Sequence, residues 1–209
     1  SEGIYSDLSD DARTGAQIAF ENVENLLRLI NDLLEITKLE SGKIELQKDL
    51  QWLSRLTQHS VENVSYKAGQ AQIEIVHDLP QQIQIAVDRA RLCRVIENIL
   101  LHIIKSSPQG GSIKVSGTES NDEVVINISA HHVEYSPERC KTIFDRYRRS
   151  ANLEEKPILS LAICRAVIEQ LDGKIGVNSE DGKGSMFWIH LSKHNPLESI
   201  PISQGTSNS

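Results

Sequence analysis

The sequence is poor in aromatic residues and cysteines and has no long apolar run. Aromatic residues make up 4% of the 209 residues, and three cysteines occur, Cys93, Cys140 and Cys164. None of them belongs to a CxxC motif, so a reducing cytoplasm is the simplest inference. No apolar stretch approaches the roughly 20 residues that cross a bilayer, and the first residues lack the basic-then-apolar order of a signal peptide. The sequence therefore predicts a cytoplasmic location, with no membrane span in this segment.

Positive charge is also scarce. The chain has 22 Lys and Arg residues against 29 Asp and Glu residues, a formal net charge of -7. This balance argues against a general surface for nucleic acid or for an anionic membrane. With 39% hydrophobic and 24% charged residues, the composition is typical of a chain that buries a core in one domain, with or without an extension.

The most informative stretch runs from Arg91 to Gly111. Its apolar residues recur at spacings of three and four, which predicts a buried amphipathic helix that ends at a Pro-Gln-Gly-Gly turn. The apolar stripe consists of Leu92, Val95, Ile96, Ile99, Leu100 and Ile103. Asp88 is the predicted N-cap of this helix. The other face of the helix carries Asn98, His102 and Lys105.

Several segments with alternating apolar residues predict strands, and the helix is expected to pack on the sheet that they form. The predicted strands of this sheet are residues 113–119, 124–129 and 175–177. Residues 120–122 are the predicted turn between the first two. Asp172 and Gly173 are expected to end a helix, and residues 182–185 are expected to turn into a closing strand.

Residues 43–88 contain a further helix and further strands. Ile44 and Leu46 indicate a first strand, Asp49 is a candidate cap for the helix that follows, and Gly69 is its expected end. Alternation resumes at residues 73–75 and again at 83–87. We expect these two segments to pair with each other as neighbouring strands.

A long helix is predicted before these elements, between an N-cap at Ser9 and a stop at Gly42. Its apolar residues alternate at spacings of three and four, which is typical of a coiled-coil seam. The seam consists of Ala16, Ala19, Val23, Leu26, Ile30 and Leu33. Further apolar residues widen this face, so it suits a helical bundle that one helix cannot build alone. The alternative is a helix folded back on its own domain.

The helix with Asn98, His102 and Lys105 resembles the N-box helix of the sensor histidine kinases. These kinases belong to the ATPase superfamily that includes gyrase, MutL and the heat-shock chaperone of that group. In the family, the three positions hold Asn, Asn and Lys, and the second Asn holds the magnesium ion that bridges the ATP phosphates. His102 stands at that position here.

The resemblance covers about residues 9–192 and implies an α+β fold. The implied fold is a two-layer α/β sandwich of the histidine-kinase ATPase type, preceded by a long coiled-coil-like helix. Residues 1–42 are then a dimerisation helix, residues 43–193 a degenerate ATPase domain, and residues 194–209 a disordered tail.

The stretch LLRLINDLLEITKLESGKIEL resembles the second helix of the histidine-kinase dimerisation domain. In the family, the phosphoacceptor histidine lies on the preceding helix, in a His-Glu-x-x-Arg-Thr-Pro-like box. No such box occurs here, and the predicted first helix contains no histidine. The chain is therefore interpreted either as a fragment of a longer sensor or as a protein that never carries the phosphate itself.

The stretch NISAHHVEYSPERCKTIFDRYRR resembles the family's Ser-Asp-x-Gly-x-Gly segment and the phenylalanine-box helix after it. The Asp that specifies adenine in the family falls on Ala130, and the two glycines fall on His132 and Glu134. The glycines of a later Gly-x-Gly-Leu turn fall on Ile158 and Ser160. The degenerate nucleotide pocket thus comprises Asn98, His102, Lys105, Ala130, His132, Glu134, Ile158 and Ser160.

These losses favour a catalytically inactive signalling module in a two-component-type pathway. Such a module would form a homodimer, bind a response-regulator or histidine-kinase-type protein, and need no cofactor and no catalytic residue. An alternative is a fragment of a sensor histidine kinase with weak residual binding of ATP and magnesium through Asn98 and Lys105.

A third hypothesis is a metal or small-ligand sensor. His102, His131, His132 and Glu134 could converge near the former pocket, and imidazole with carboxylate suits zinc. The alternative is that these histidines are scattered over the surface and share no ligand, because their spacing matches no known metal motif.

Overall fold

The computed structural model describes residues 46–145 and 159–193, together with six helical residues near the N-terminus. Contacts divide the chain into two compact units, Ser1–Ile44 and Glu45–Ser209. The described residues of the first unit are all exposed, and they are Ala12, Gly15, Ala16, Ala19, Phe20 and Val23. Three of the predicted seam positions are among them. The other three, Leu26, Ile30 and Leu33, lie outside the described residues, so the coiled-coil seam stays a prediction.

The second unit contains four described helices and seven strands. The helices are α1 (Leu53–Gln70), α2 (Arg89–Ser106), α3 (Pro137–Thr142) and α4 (Leu159–Gln170). The strands are β1 (Asp49–Trp52), β2 (Glu74–Asp78), β3 (Gln84–Val87), β4 (Ser112–Glu119), β5 (Glu123–Ala130), β6 (Lys174–Glu180) and β7 (Gly184–Ser192).

Five of the strands form one mixed sheet in the order β2-β4-β5-β7-β6. Strand β2 runs parallel to β4, and the other neighbours are antiparallel. Strands β1 and β3 form a separate two-stranded antiparallel sheet. Within the described chain no helix is long and apolar enough to cross a membrane.

Helices cover one face of the large sheet. Side chains alternate along β5, where Val124, Ile126, Ile128 and Ala130 are buried and the residues between them are partly exposed. The apolar stripe of α2 is buried as predicted, and α2 packs against both α1 and α4. Burying these stripes on one sheet face gives two layers around one core. The predicted α+β two-layer sandwich is therefore confirmed.

Several local signals at the ends of elements were predicted correctly. The Asp88 side chain accepts a hydrogen bond from Arg91 N at 3.2 Å, so it caps α2. Residues 120–122 join β4 to β5, and Asp172 follows α4 with a φ of 58°. The end of α1 at Gln70 lies one residue beyond Gly69, the predicted end.

The prediction for the start of this unit was wrong. Asp49 does not cap α1, because it lies in β1, and the N-cap position belongs to Trp52, which makes no side-chain cap hydrogen bond. The backbone N–H of Leu53 donates instead to the carbonyl oxygen of Ile83 at 2.9 Å. Leu46 lies outside any strand, and Ile44 is not among the described residues.

The expected pairing of the strands at residues 73–75 and 83–87 was also wrong. Strand β2 pairs with β4, and β3 pairs with β1. Alternation along a strand shows which face is buried, but it does not identify the neighbouring strand. Strand β2 lies at the edge of the large sheet, whereas β3 pairs with β1, the strand that directly precedes α1.

Candidate functional site

Helix α2 carries the three residues of the N-box resemblance. Asn98 and His102 are partly buried, whereas Lys105 lies in the last turn and is exposed. The stripe on the opposite side of α2 is buried in the core, and this fixes the rotation of the helix. All three side chains therefore lie along one side of α2, away from this stripe.

Ala130 is the last residue of β5 and forms part of the core. It is 1% exposed, and its Cα partners are Ile113 in β4 and Ser185 in β7. A methyl group offers no hydrogen-bond acceptor, so the adenine-specifying interaction of the family has no counterpart at this position. His132 and Glu134 follow in the segment of residues 131–136, and both are exposed.

The side chain of His102 is directed at Tyr135. The Tyr135 hydroxyl lies 2.9 Å from His102 Nε2, and the two rings stack with centroids 6.0 Å apart and planes 17° apart. Phe187 meets both rings edge-on, each at 6.0 Å, and Phe144 meets Phe187 edge-on at 6.2 Å. These four residues form an aromatic cluster centred on Phe187, which is fully buried. Such offset and edge-on contacts stabilise aromatic groups beyond simple burial.

The cluster favours the neutral form of His102. Burial lowers the pKa of His102 to about 4, and the nearby charges of Arg139 and Lys105 contribute in the same direction. Burial also raises the pKa of Tyr135, so the phenol keeps its proton. A neutral imidazole and a protonated phenol can share one hydrogen bond at 2.9 Å, and the tautomer of His102 decides which of the two groups donates.

The 131–136 segment is also tied to the β6–β7 turn. Glu134 Oε1 accepts a hydrogen bond from Gly182 N at 2.9 Å, and His131 Nδ1 donates to the carbonyl oxygen of Lys183 at 3.3 Å. The backbone N–H of Tyr135 donates to Ser179 Oγ at 3.0 Å. The segment is therefore fastened to α2 on one side and to the turn on the other.

The later turn is described in part. Ser160 is partly buried in the first turn of α4, and its carbonyl oxygen accepts a hydrogen bond from Cys164 Sγ at 3.1 Å. Ile158 lies outside the described residues. The predicted place of Ile158 in the degenerate nucleotide pocket therefore stays a prediction.

The four candidate metal ligands do not converge. His102 contacts Tyr135, His131 contacts Lys183, and Glu134 contacts Gly182. Across residues 46–145 and 159–193, no three His, Cys, Asp or Glu side chains come close enough to hold a metal ion. The proposed zinc site at His102, His131, His132 and Glu134 is therefore not found.

The sequence alone did not reveal three residues of this site. Tyr135 and Phe187 line the cluster, and Ser185 lies beside Ala130 on the same sheet face. Ser185 is 4% exposed, and its Oγ has no hydrogen-bond partner among the described residues. The alternation of β7, which buries positions 185 and 187 on one face, was the only available signal.

The chain belongs to the family of histidine kinase-, DNA gyrase B- and HSP90-like ATPases, whose profile matches residues 87–195. Within that family it carries an ATPase domain of the sensor histidine kinase type. Sensor protein KdpD of Clostridium acetobutylicum is 27% identical over 180 residues, which are 83% of this chain and 20% of KdpD. Sensor protein GacS of Pseudomonas syringae pv. syringae is 29% identical over 181 residues, or 82% of this chain and 20% of GacS. The chain thus spans about a fifth of the length of these relatives.

Solved structures of histidine kinases share the fold. The histidine kinase AdeS of Acinetobacter baumannii has a TM-score of 0.73 at 20% identity, covering 90% of this chain and 87% of AdeS. Histidine kinase ThkA in complex with the response regulator protein TrrA has a TM-score of 0.69 at 22% identity, covering 90% of this chain and 54% of ThkA. At these identities the likeness establishes the fold alone.

Proposed function

We propose that this chain is a catalytically inactive, histidine-kinase-like signalling module that acts in the cytoplasm by binding protein partners in a two-component-type pathway. One observation carries the proposal. His102, at the position of the family's magnesium ligand, engages Tyr135 in a hydrogen bond and a ring stack. A side chain in that contact is not available to a metal-bound triphosphate.

Two further observations support inactivity. Ala130 replaces the adenine-specifying carboxylate with a buried methyl group. Glu134 places a carboxylate at a family glycine position and ties it to the backbone of Gly182. A fixed negative charge beside the former pocket repels a polyphosphate. Adenine, metal and phosphate recognition are each weakened by a different residue.

Residual nucleotide binding is the second candidate function, and Ser185 favours it. The Ser185 hydroxyl is buried beside Ala130 without a hydrogen-bond partner in the described chain. Buried polar groups are nearly always hydrogen-bonded, so a ligand at this position would satisfy it. Asn98 and Lys105 of the N-box helix are also retained.

We expect isothermal titration calorimetry to detect no binding of magnesium-ATP to the purified chain. The same titration of Ser185→Ala separates the two candidates, because weak binding through Ser185 would disappear in this variant. The thermal unfolding midpoint of the chain should also stay constant when magnesium-ATP is added. A bound ligand at 100 times its dissociation constant would instead stabilise the folded chain by about 2.7 kcal/mol. A micromolar dissociation constant for the wild type would overturn the proposed inactivity.

Homodimer formation through the seam is a further part of the proposal. It rests on the apolar repeat, of which Ala16, Ala19 and Val23 lie on exposed helix in the described structure. Burying such an exposed apolar face against a second copy stabilises the dimer. Each large aliphatic side chain that becomes fully buried contributes about 1.5 to 3 kcal/mol of free energy.

The dimer is tested by Ile30→Glu, which places a charge at the centre of the predicted seam. We expect this variant to sediment as a monomer under conditions in which the wild type sediments as a dimer. Asn31→Glu introduces the same charge next to the seam and should remain dimeric. A monomeric wild type, or a dimeric Ile30→Glu variant, contradicts the seam.

A response regulator or a histidine kinase is the proposed partner class. The family resemblance places such partners beside the dimerisation helices, and ThkA, which shares this fold, was solved in complex with the response regulator TrrA. A chain that carries the predicted second dimerisation helix and lacks phosphoryl transfer would act as a competitor or a scaffold.

A further inference from the structure

Tyr135 connects three parts of the domain at once. Its hydroxyl reaches His102 on α2, its ring packs against Phe187 on β7, and its backbone N–H donates to Ser179 on β6. Each partner belongs to a regular element whose position is set by the core. The 131–136 segment is therefore held by protein groups on both sides.

We propose that His102 and Tyr135 form a latch that holds the 131–136 segment closed against α2 without any ligand. The inference rests on the proposed inactivity and extends it. In this interpretation the histidine at the family's metal position has an interaction of its own, and the conformation of the segment does not depend on nucleotide.

The surroundings of the pair favour a persistent contact. Phe187 is fully buried and forms a fixed wall against which both rings pack. A hydrogen bond shielded from water is stronger than an exposed one, and breaking it leaves two polar groups partly buried and unpaired. Opening the segment would also separate the stacked rings of His102 and Tyr135.

The latch has a consequence for the neighbouring surface. Helix α3 begins at Pro137, and its cap Ser136 is the last residue of the segment. The Ser136 hydroxyl accepts a hydrogen bond from Arg139 N at 3.1 Å. A segment held closed therefore also fixes the start of α3. The surface formed by the segment and α3 is presented to a partner in one conformation.

Hydrogen exchange measured by mass spectrometry tests the latch. In Tyr135→Phe, which removes only the hydroxyl, we expect amides of residues 131–136 to exchange about three- to tenfold faster, the effect of losing one hydrogen bond. Tyr66→Phe is the matched control, because the exposed Tyr66 hydroxyl accepts a hydrogen bond from Gln70 Nε2 at 3.0 Å, far along the chain from this segment. This control should leave exchange of the segment unchanged.

A double-mutant comparison assigns the effect to the pair. In a His102→Leu background Tyr135 has lost its bond to His102 and keeps only its contact with Ser106. Adding Tyr135→Phe should therefore cause a much smaller further acceleration than it does in the wild type. Unchanged exchange in Tyr135→Phe, or equal acceleration with and without His102, overturns the latch. Failure of the latch in these exchange experiments would leave the expected result of the magnesium-ATP calorimetry unchanged. Conversely, if the chain binds nucleotide while the amides of residues 131–136 exchange slowly, the proposed inactivity is overturned and the latch is not.

Discussion

Gly184→Ala is expected to lower the free energy of unfolding by about 2 to 5 kcal/mol, combining a left-handed backbone with overpacking. Gly184 opens β7 with a φ of 83°, a conformation that L side chains rarely adopt. A Cβ there would overlap the carbonyl oxygen of Ala130 and lie 2.5 Å from His131 Cα. These are backbone atoms, so the end of β5 must shift to accommodate the methyl group.

Gly182→Ala in the same turn is the matched control. Gly182 has a similar φ of 74°, but a Cβ there meets nothing within 4 Å. We expect this variant to lose only the backbone contribution, about 1 to 2 kcal/mol. Urea unfolding of both variants measures the difference. Equal losses would mean that the end of β5 shifts at no cost in free energy, and that the close approach of Gly184 to Ala130 does not constrain its position.

The fold could be predicted from the sequence wherever the signal is local. The apolar stripe of α2 and the cap at Asp88 both involve residues within a few positions of each other. Strand pairing is not local. Strand β2 lies beside β4, and the 18 residues of α2 lie between them in the chain, so no turn signal identifies the partner. The error at β2 and β3 has this physical origin.

The same distinction applies to the candidate site. The replacements at His102, Ala130, His132 and Glu134 follow from the resemblance, because each falls at a definite position of a family motif. What these replacements contact could not be predicted. His102 and Tyr135 are 33 residues apart in the chain, and Glu134 and Gly182 are 48 apart. Such contacts depend on the sheet register that brings β5, β6 and β7 together.

The register also explains why Phe187 was missed. Strand β7 pairs Phe187 with Ile128 on one side and with Val177 on the other, and all three side chains face the helices. Phe187 therefore lies beneath α2 and meets His102 edge-on. From the sequence alone Phe187 is one apolar position in a closing strand, because nothing local connects it with the N-box helix.

The stability of the domain is expected to fall between pH 6.5 and pH 4 because His102 is held neutral. Burial, followed by the charges of Arg139 and Lys105, lowers its pKa from 6.5 to about 4 in the folded protein. Between these values the unfolded chain binds a proton that the folded chain does not. The contribution of neutral His102 is therefore complete above about pH 6.5 and is lost progressively as the pH falls toward about 4. The full loss is about 3 kcal/mol, from about 1.36 kcal/mol for each pKa unit.

Urea unfolding of the wild type and of His102→Gln between pH 7.5 and pH 4.5 measures this contribution. Carboxylates and His77, whose pKa burial also lowers, titrate in both proteins, so their effects cancel in the difference between the two. We expect the stability advantage of the wild type over His102→Gln to shrink as the pH falls. His132→Gln, a change at an exposed histidine of the neighbouring segment, should keep the pH dependence of the wild type. A pH-independent difference between wild type and His102→Gln would show that His102 is solvated, and that the aromatic cluster does not exclude water from its imidazole.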